Sequence, residues 1–199
     1  MKNILYIVIV LFGYNSTLAQ TIVKPIESEY TTSNSGSNTY FKDINFVLDK
    51  FVGTWKYEND NTVFEVTFSK LIHESYPNNQ FNDELKAEFR LTINNIVQFD
   101  TYTTFCEECI YSSGFLSATS TFRGDAINTP PNVNTFFMSY SEPSFSNTGA
   151  DSDLKLIYQM DNGVEKLNWS NTYSNGYDAI TNEIVNIYQT PDNMLLIKQ

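Results

Sequence analysis

A strict alternation of apolar and polar residues after position 84 constrains the fold of this chain more than any other feature. One face of this stretch carries Leu85, Ala87, Phe89, Leu91 and Ile93, and the other carries Lys86, Glu88, Arg90 and Thr92. Because successive side chains of a strand point to opposite faces, a period of two predicts a half-buried β-strand. The pair Asn94-Asn95 then predicts a turn into a partner strand from Ile96 to Tyr102.

Comparable segments run through most of the chain and predict an all-β domain. Phe64, Val66 and Phe68 alternate in the same way, and Asp161-Asn162-Gly163 is a strong hairpin-turn signal. Further strands are expected near 53–58, 110–122, 133–140, 153–160, 164–171 and 193–198, with a long loop over 74–83 around Pro77-Asn78-Asn79. Residues 171–189 do not discriminate between strand and helix. About nine short strands without a repeat unit predict an up-and-down barrel or a sandwich.

The first residues have the pattern of a signal peptide rather than of a folded segment. Lys2 supplies a positive start, residues 4–12 are apolar but too short to span a bilayer, and Thr17-Leu18-Ala19 resembles a cleavage site. We therefore expect residues 1–19 to be removed before Gln20 and the protein to be exported to the periplasm or the outside. Nothing later in the sequence has the length and apolarity of a transmembrane helix.

Two segments precede the predicted strands. Residues 20–40 are rich in Thr, Ser, Asn and Gly, which predicts a flexible segment because it buries too little apolar surface to offset its ordering entropy. Residues 41–199 form the expected barrel domain. At its start, Ile44, Val47, Leu48 and Phe51 recur at helical spacing and predict a short N-terminal helix that covers one end of a barrel.

The charge balance excludes some partners. The 199 residues carry a formal net charge of −11. Nucleic acid and anionic membrane surfaces both require a basic patch, so we expect neither as a partner. The acidity fits solubility in an external medium.

The segment Gly53-Thr54-Trp55 stands at the start of the first predicted strand of the domain. Gly53 has no Cβ, so another chain can approach its backbone closely, and Trp55 points to the same strand face. Burying an indole removes roughly 150 to 250 Å² from water, provided that its N–H finds an acceptor. Trp55 is therefore expected either to plug one end of a barrel or to be an ordinary core residue of some sheet.

The short apolar lead-in over 43–51, running straight into Gly53-Thr54-Trp55, resembles the Gly-x-Trp signature of the first strand of lipocalins and other calycin barrels. Together with the ending Pro191 to Gln199, it is similar to a family of small secreted bacterial proteins of unknown function with a lipocalin-like fold. The resemblance implies a lipocalin-like antiparallel up-and-down β-barrel of about eight to nine strands. It also implies that a late basic residue stacks on the tryptophan; arginine is usual there, and Lys198 stands in its place.

Cys106-Glu107-Glu108-Cys109 is the one motif with a sharp chemical interpretation. Two glutamates between the sulfurs disfavour a redox thiolate, and a zinc site needs two further ligands where the sequence has only one histidine, His73. Export to an oxidising compartment favours a structural disulfide over the redox and metal alternatives. An extended chain would place the two Cα atoms about 10 Å apart, so the disulfide requires a turn at Glu107-Glu108.

Catalytic and cofactor motifs are scarce. His73 has no second histidine or Gly-x-Ser-x-Gly elbow to work with and is interpreted as a solvated loop residue. Asp151-Ser152-Asp153 lacks the glycine and repeated ligands of a calcium loop, and there is no phosphate loop or dinucleotide fingerprint. We expect no metal and no cofactor.

Three functions from different classes remain after these exclusions. The first is a secreted, non-enzymatic lipocalin-like protein that binds a small apolar ligand inside the barrel. Its expected lining is Trp55, Phe64, Val66, Phe68, Leu85, Ala87, Phe89 and Leu91. The second is a filled barrel that uses its loops as an interaction module, for adhesion or inhibition. An exported enzyme ranks last for want of catalytic groups.

Overall fold

β-Strands make up almost all the regular structure in the computed structural model of this protein. The structure describes residues 21–28, 38–104, 110–114, 121–122, 125–126, 133–143, 152–172, 176–178, 183–185 and 188–199. In chain order the strands are β1 (Ile22–Pro25), β2 (Thr39–Lys42), β3 (Gly53–Asn59), β4 (Thr62–Tyr76), β5 (Gln80–Ile93), β6 (Ile96–Asp100), β7 (Ile110–Gly114), β8 (Thr121–Phe122), β9 (Asp125–Ala126), β10 (Thr135–Tyr140), β11 (Ser152–Asp161), β12 (Val164–Thr172), β13 (Gly176–Asp178), β14 (Glu183–Val185) and β15 (Asn193–Lys198). Two 3-10 helices cover Ile26–Ser28 and Pro77–Asn79.

Eleven of these strands form one sheet. Their order is β1-β2-β5-β4-β3-β15-β12-β11-β10-β7, with β6 paired to β5 off this path. All pairs are antiparallel except β1 with β2 and β2 with β5. The remaining strands form two small hairpins, β8 with β9 and β13 with β14. The all-β prediction is therefore confirmed. Within the ambiguous stretch 171–189, residues 171–172, 176–178 and 183–185 are in strands, whereas 188–189 are not in regular structure.

The main sheet curls until strands far apart in its order face each other. The rings of Phe64 on β4 and Trp169 on β12 lie 5.1 Å apart, although β3 and β15 separate these two strands. The rings of Phe89 on β5 and Tyr140 on β10 lie 5.4 Å apart across the same interior. The concave face thus encloses one apolar core, to which most strands of the main sheet contribute alternate side chains.

The prediction of a closed barrel is wrong, because the described strands pair into an open sheet. In the described ranges, β5 is hydrogen-bonded to β2 near its start and to β6 near its end, whereas β7 pairs only with β10. Cα atoms of β5 and β7 come within 8 Å of each other without forming a ladder. The sheet is accordingly a strongly curled open sheet with more strands than the eight to nine expected.

The predicted N-terminal helix over 43–51 is wrong. This stretch is a series of turns, with backbone N–H groups of Phe51 and Val52 donating to carbonyls three residues back. Phe46 has a φ of 54°, which a right-handed helix cannot accommodate. The Asp43 carboxylate accepts hydrogen bonds from the N–H groups of Val47 and Leu48 at 2.7 and 3.2 Å, so a side chain replaces helical bonding.

Residues 74–83, predicted to be a long loop, are two strand ends joined by a single tight turn. β4 continues to Tyr76, and the 3-10 turn of Pro77–Asn79 leads directly into β5. Asn78 and Asn79 adopt positive φ values of 64° and 55°, which asparagine tolerates better than most residues. The turn residues were recognisable, but the length of the strands on either side was not.

A bulge in β4 places His73 in a strand rather than in the predicted solvated loop. The register between β4 and β5 shifts between Leu71 and Glu74, and His73 has a φ of 62°. Its exposed ring stacks on Phe81 at 4.1 Å. Buried Asp83 accepts hydrogen bonds from the His73 N–H at 3.0 Å, the Tyr40 hydroxyl at 2.6 Å and the Asp43 N–H at 2.9 Å. One carboxylate therefore ties the bulge to β2 and to the turns after it.

Within the segment 20–40, which was expected to be flexible, β1 and the start of β2 belong to the main sheet and Ile26–Ser28 forms a 3-10 helix. Ile22–Pro25 pairs in parallel with Thr39–Lys42, and Ile26 packs into the core with 1% of its surface exposed. Residues 1–20, with the predicted signal peptide, lie outside the described ranges.

The Gly-Thr-Trp segment is packed against the end of the chain. Trp55 is fully buried, and its indole N–H donates to the Phe51 carbonyl at 2.8 Å. The Lys198 ammonium lies 5.3 Å from the centroid of the Trp55 ring, as the resemblance implies. A Cβ on Gly53 would approach the Lys198 Cε to 3.3 Å, and the glycine φ of 118° is one that other residues rarely adopt. Gly53 thus makes room for the lysine that covers the tryptophan.

We predict that Lys198→Met lowers the free energy of unfolding by about 1 to 2 kcal/mol, because it removes the cation over Trp55 and the hydrogen bond to Glu165. Lys166→Met is a matched control, because both lysine side chains are 24% exposed. Among the described residues, Lys166 forms an ion pair only with Asp161, at a hairpin tip. Lys166→Met should lower the free energy of unfolding by less than about 1 kcal/mol. Urea denaturation followed by tryptophan fluorescence measures both, and equal losses would contradict a special role for Lys198.

Candidate functional site

The concave face of the curled sheet holds every residue predicted to line a ligand site. Each is buried, with exposed fractions between 0% and 7%, and all belong to one core cluster: Trp55, Phe64, Val66, Phe68, Leu85, Ala87, Phe89 and Leu91. Alternation along β4 and β5 turns these side chains inward. The structure therefore brings the predicted set together as a closely packed apolar core.

Four aromatic side chains cross the middle of this core. Phe64, Phe89, Tyr140 and Trp169 form a closed cycle in which neighbouring ring centroids lie 5.1 to 5.8 Å apart. All four pairs are tilted or edge-to-face, and the edge-to-face arrangement is one that aromatic quadrupoles favour. We refer to these four residues as the aromatic quartet.

Buried polar side chains adjoin the quartet on the Tyr140 side. The Tyr140 hydroxyl and the Thr190 hydroxyl lie 2.6 Å apart, and the Glu142 Oε1 accepts the N–H groups of Gln189 and Thr190 at 2.7 Å each. Ser152 Oγ lies 2.9 Å from the Tyr140 carbonyl oxygen and 2.6 Å from the Asn171 Oδ1. Tyr140, Glu142, Ser152, Asn171 and Thr190 make up the polar network.

Three polar atoms in or beside this network are buried without a hydrogen-bond partner. They are the Glu142 Oε2, the Asn171 Nδ2 and, within the quartet, the Trp169 Nε1. The Asn171 amide can present either its oxygen or, if flipped, its nitrogen to the Ser152 hydroxyl. In both orientations the second polar atom of the amide has no hydrogen-bond partner. By contrast, the second tryptophan, Trp55, has its indole N–H satisfied.

These unpartnered atoms are energetically costly. A buried donor or acceptor that loses water without gaining a partner costs about 1 to 3 kcal/mol. Most buried polar groups in folded proteins are paired, so three exceptions in one region point to a missing partner. Either ordered water or a bound molecule with hydrogen-bonding groups would supply it.

The network lies at the opposite end of the curled sheet from Trp55 and Lys198. Trp55 is paired with Lys198 at the end of β15, whereas Trp169 is paired with Met194 at its beginning. At the Trp55 end, Phe51 contacts Phe136 at 5.6 Å and Tyr158 at 6.3 Å, and the turns over 43–52 cover the core. Apolar side chains therefore close the interior at the Trp55 end, and the polar network lies at the other end.

The pKa of a glutamate is shifted in opposite directions at the two ends. Burial raises the pKa of Glu142, and the hydrogen bonds from Thr190 and Gln189 offset only part of this rise. Burial also favours a higher pKa for Glu165 at the Trp55 end, but hydrogen bonds from Lys198 and Tyr158 outweigh it and lower the pKa. Among the described residues, no lysine or arginine forms an ion pair with Glu142.

No member of the polar network was predicted from the sequence to be a site residue. Tyr140 and Asn171 end strands that were predicted, at 133–140 and 164–171, and a detectable signal was available: Asn171 shares the inward face of Leu167 and Trp169. An asparagine at an inward position of an apolar strand is unusual enough to notice. Glu142 and Thr190 stand outside the strands, where no periodicity marks them.

The sequence also indicated the cysteine pair and His73 as candidates. Cys106 and Cys109 lie outside the described residues, so the predicted disulfide stays a prediction. His73 contacts only the Tyr40 and Phe81 rings among the aromatic residues described. In the described part of the chain, no three His, Cys, Asp or Glu side chains are grouped as metal ligands. No helix within the described residues has the length and apolarity needed to cross a membrane.

Fold and site together define an all-β protein in which a curled sheet encloses an aromatic core with a buried polar network at one end. A model of a family of unknown function, DUF6705, matches residues 1–199, and the chain belongs to this family. No curated protein and no solved structure is significantly similar to the chain, so the resemblance to lipocalins rests on the Gly-x-Trp segment and Lys198.

We predict that Glu142→Gln removes a pH dependence of stability. Because the folded pKa of Glu142 is above its ordinary value of 4.5, the folded state binds the proton more tightly, and wild-type stability should fall as pH rises between these two values. Glutamine keeps an oxygen for the N–H groups of Gln189 and Thr190 but does not ionise. Urea unfolding across this window should show the variant gaining on the wild type as pH rises, and parallel curves would refute the assignment.

Proposed function

We propose that this is an exported, non-enzymatic binding protein that holds a small, largely apolar molecule at the polar end of its core. The observation that carries the proposal is the set of unpartnered buried atoms on Glu142, Asn171 and Trp169. Ligand sites of this kind combine apolar walls with a few polar groups that fix orientation. The quartet supplies the walls, and the network supplies the polar groups.

This proposal moves the site away from the lining predicted from sequence. Trp55, Val66, Phe68 and Ala87 pack in the closed part of the core, so we propose that they support the fold rather than contact the ligand. Phe64 and Phe89 remain candidates because they belong to the quartet. The apolar part of the ligand would lie against quartet rings, and its polar part would reach the network.

Export and a lipocalin-like relationship are part of the proposal. The signal-peptide pattern of residues 1–19 supports removal before Gln20 and release to the periplasm or the outside. The position of Lys198 over Trp55 supports a distant relationship to calycin barrels.

A second candidate is an interaction module that uses its surface and has a filled core. The quartet favours it, because four aromatic rings in mutual contact occupy the middle of the interior. Exposed apolar residues at two hairpin tips also favour it, namely Ile96 and Val97 after one turn and Met160 and Val164 around another. In this function the unpartnered atoms would be satisfied by buried water.

Native mass spectrometry of the protein exported by its own host distinguishes the two functions. We expect a reproducible extra mass that disappears on denaturation, together with a mass that begins at Gln20 and is two hydrogens short from a Cys106-Cys109 disulfide. Asn171→Leu should abolish the extra mass because it removes polar atoms from the network. Asn193→Leu, at an exposed position of β15, is the matched control and should retain it.

A clean ligand-free mass for the wild type would contradict binding and favour the interaction module. Retention of the extra mass by both variants would separate any bound molecule from the polar network.

A further inference from the structure

We infer that the site selects a neutral hydroxyl group, so that its ligand is an alcohol or phenol with an apolar body. This inference rests on the proposed function and adds the chemistry of the bound group. It follows from what each of the three unpartnered atoms requires of a partner.

The Trp169 Nε1 can only donate a hydrogen bond, because an indole nitrogen has no free lone pair. The side chain is 1% exposed, and its ring lies 5.3 Å from the Tyr140 ring. A partner for this atom must therefore carry an acceptor oxygen or nitrogen. A hydrocarbon or an ammonium group has no such acceptor.

The Glu142 Oε2 requires the opposite. Its carboxylate is fully buried, and the other oxygen, Oε1, already accepts two backbone hydrogen bonds. When ionised, the free oxygen can only accept, so its partner must donate. A carboxylate or phosphate ligand would instead place a second negative charge beside it, with no described lysine or arginine paired there to neutralise the two.

The third atom is satisfied by the same group. With Asn171 Oδ1 next to Ser152, the unpartnered amide atom is Nδ2, which donates. A hydroxyl can accept from it and from Trp169 while giving its single hydrogen to Glu142, because it accepts twice and donates once. Among simple neutral groups, a hydroxyl has the one donor and two acceptor sites that these three atoms require. Water has them too, but it gains nothing from the adjoining aromatic rings, whereas an apolar body does.

The two tryptophans provide a direct readout. The chain contains two, so an ¹⁵N-labelled protein gives two indole N–H resonances, which Trp55→Phe and Trp169→Phe assign. The Trp55 N–H is bonded to Phe51 and serves as an internal reference. Three probes share one apolar body: benzyl alcohol donates and accepts, benzyl methyl ether only accepts, and benzoate is an anion.

At neutral pH we expect benzyl alcohol to shift the Trp169 indole resonance saturably while the Trp55 resonance stays fixed. Benzyl methyl ether should bind about tenfold or more weakly, because it cannot donate to Glu142 and leaves that oxygen unpaired. Benzoate should cause no shift. Equal affinities for alcohol and ether, a shift with benzoate, or no shift of the Trp169 resonance with any probe would overturn the inference.

Glu142→Gln tests the proposed donor contact without deleting the side chain. Its oxygen can keep the bonds from Gln189 and Thr190, so its amide nitrogen replaces the free acceptor with a donor. The advantage of benzyl alcohol over the ether should then fall to near parity. Glu165→Gln, at the other end of the sheet, should leave that advantage unchanged, and loss of it in both variants would contradict the contact.

The outcome for the head group can be separated from the outcome for binding itself. If the host-exported protein retains an organic acid or an amine, the proposed function stands and the selection of a hydroxyl is wrong. If it retains nothing and no probe shifts the Trp169 resonance, both fail.

Discussion

The structure depends first on the contact between the Lys198 ammonium and the ring of Trp55. It joins the last strand to the first antiparallel strand of the main sheet, so that chain segments 143 residues apart are fixed side by side. Gly53 permits it by leaving room for the lysine stem, and Glu165 holds the ammonium in place at 3.0 Å. These residues close one end of the core, and the unpartnered atoms of Glu142, Trp169 and Asn171 lie toward the other end.

The curl of the sheet connects the two ends. It brings Phe64 and Phe89 from one limb against Trp169 and Tyr140 from the other, and ring contacts across the interior stabilise that curvature. The polar network then lies where Tyr140, the last residue of β10, meets Thr190 and Glu142. The three unpaired buried atoms beside this aromatic frame are the basis for the binding site that we propose.

Local periodicity explains how much of this was predictable. The alternation over 85–93 and the turn at Asn162-Gly163 fixed the strands around them, because pleat geometry is a local property. The prediction of a helix over 43–51 was wrong because the Asp43 carboxylate accepts hydrogen bonds from the N–H groups of Val47 and Leu48. The spacing of apolar residues in the sequence does not show such side-chain bonds. The prediction of a closed barrel was wrong because closure depends on which strand pairs with β5, and the sequence does not specify that pairing. The polar network was hidden because Glu142, Asn171 and Thr190 meet only through tertiary packing.

A crystal structure of the host-exported protein, at a resolution that shows ordered water, would reveal directly whether the core binds a molecule. We expect continuous density for an organic molecule within hydrogen-bonding distance of the Trp169 Nε1 and the Glu142 Oε2, with its apolar part against the aromatic quartet. Isolated water peaks at these atoms, or new protein partners for them, would contradict the claim that the core is a binding site.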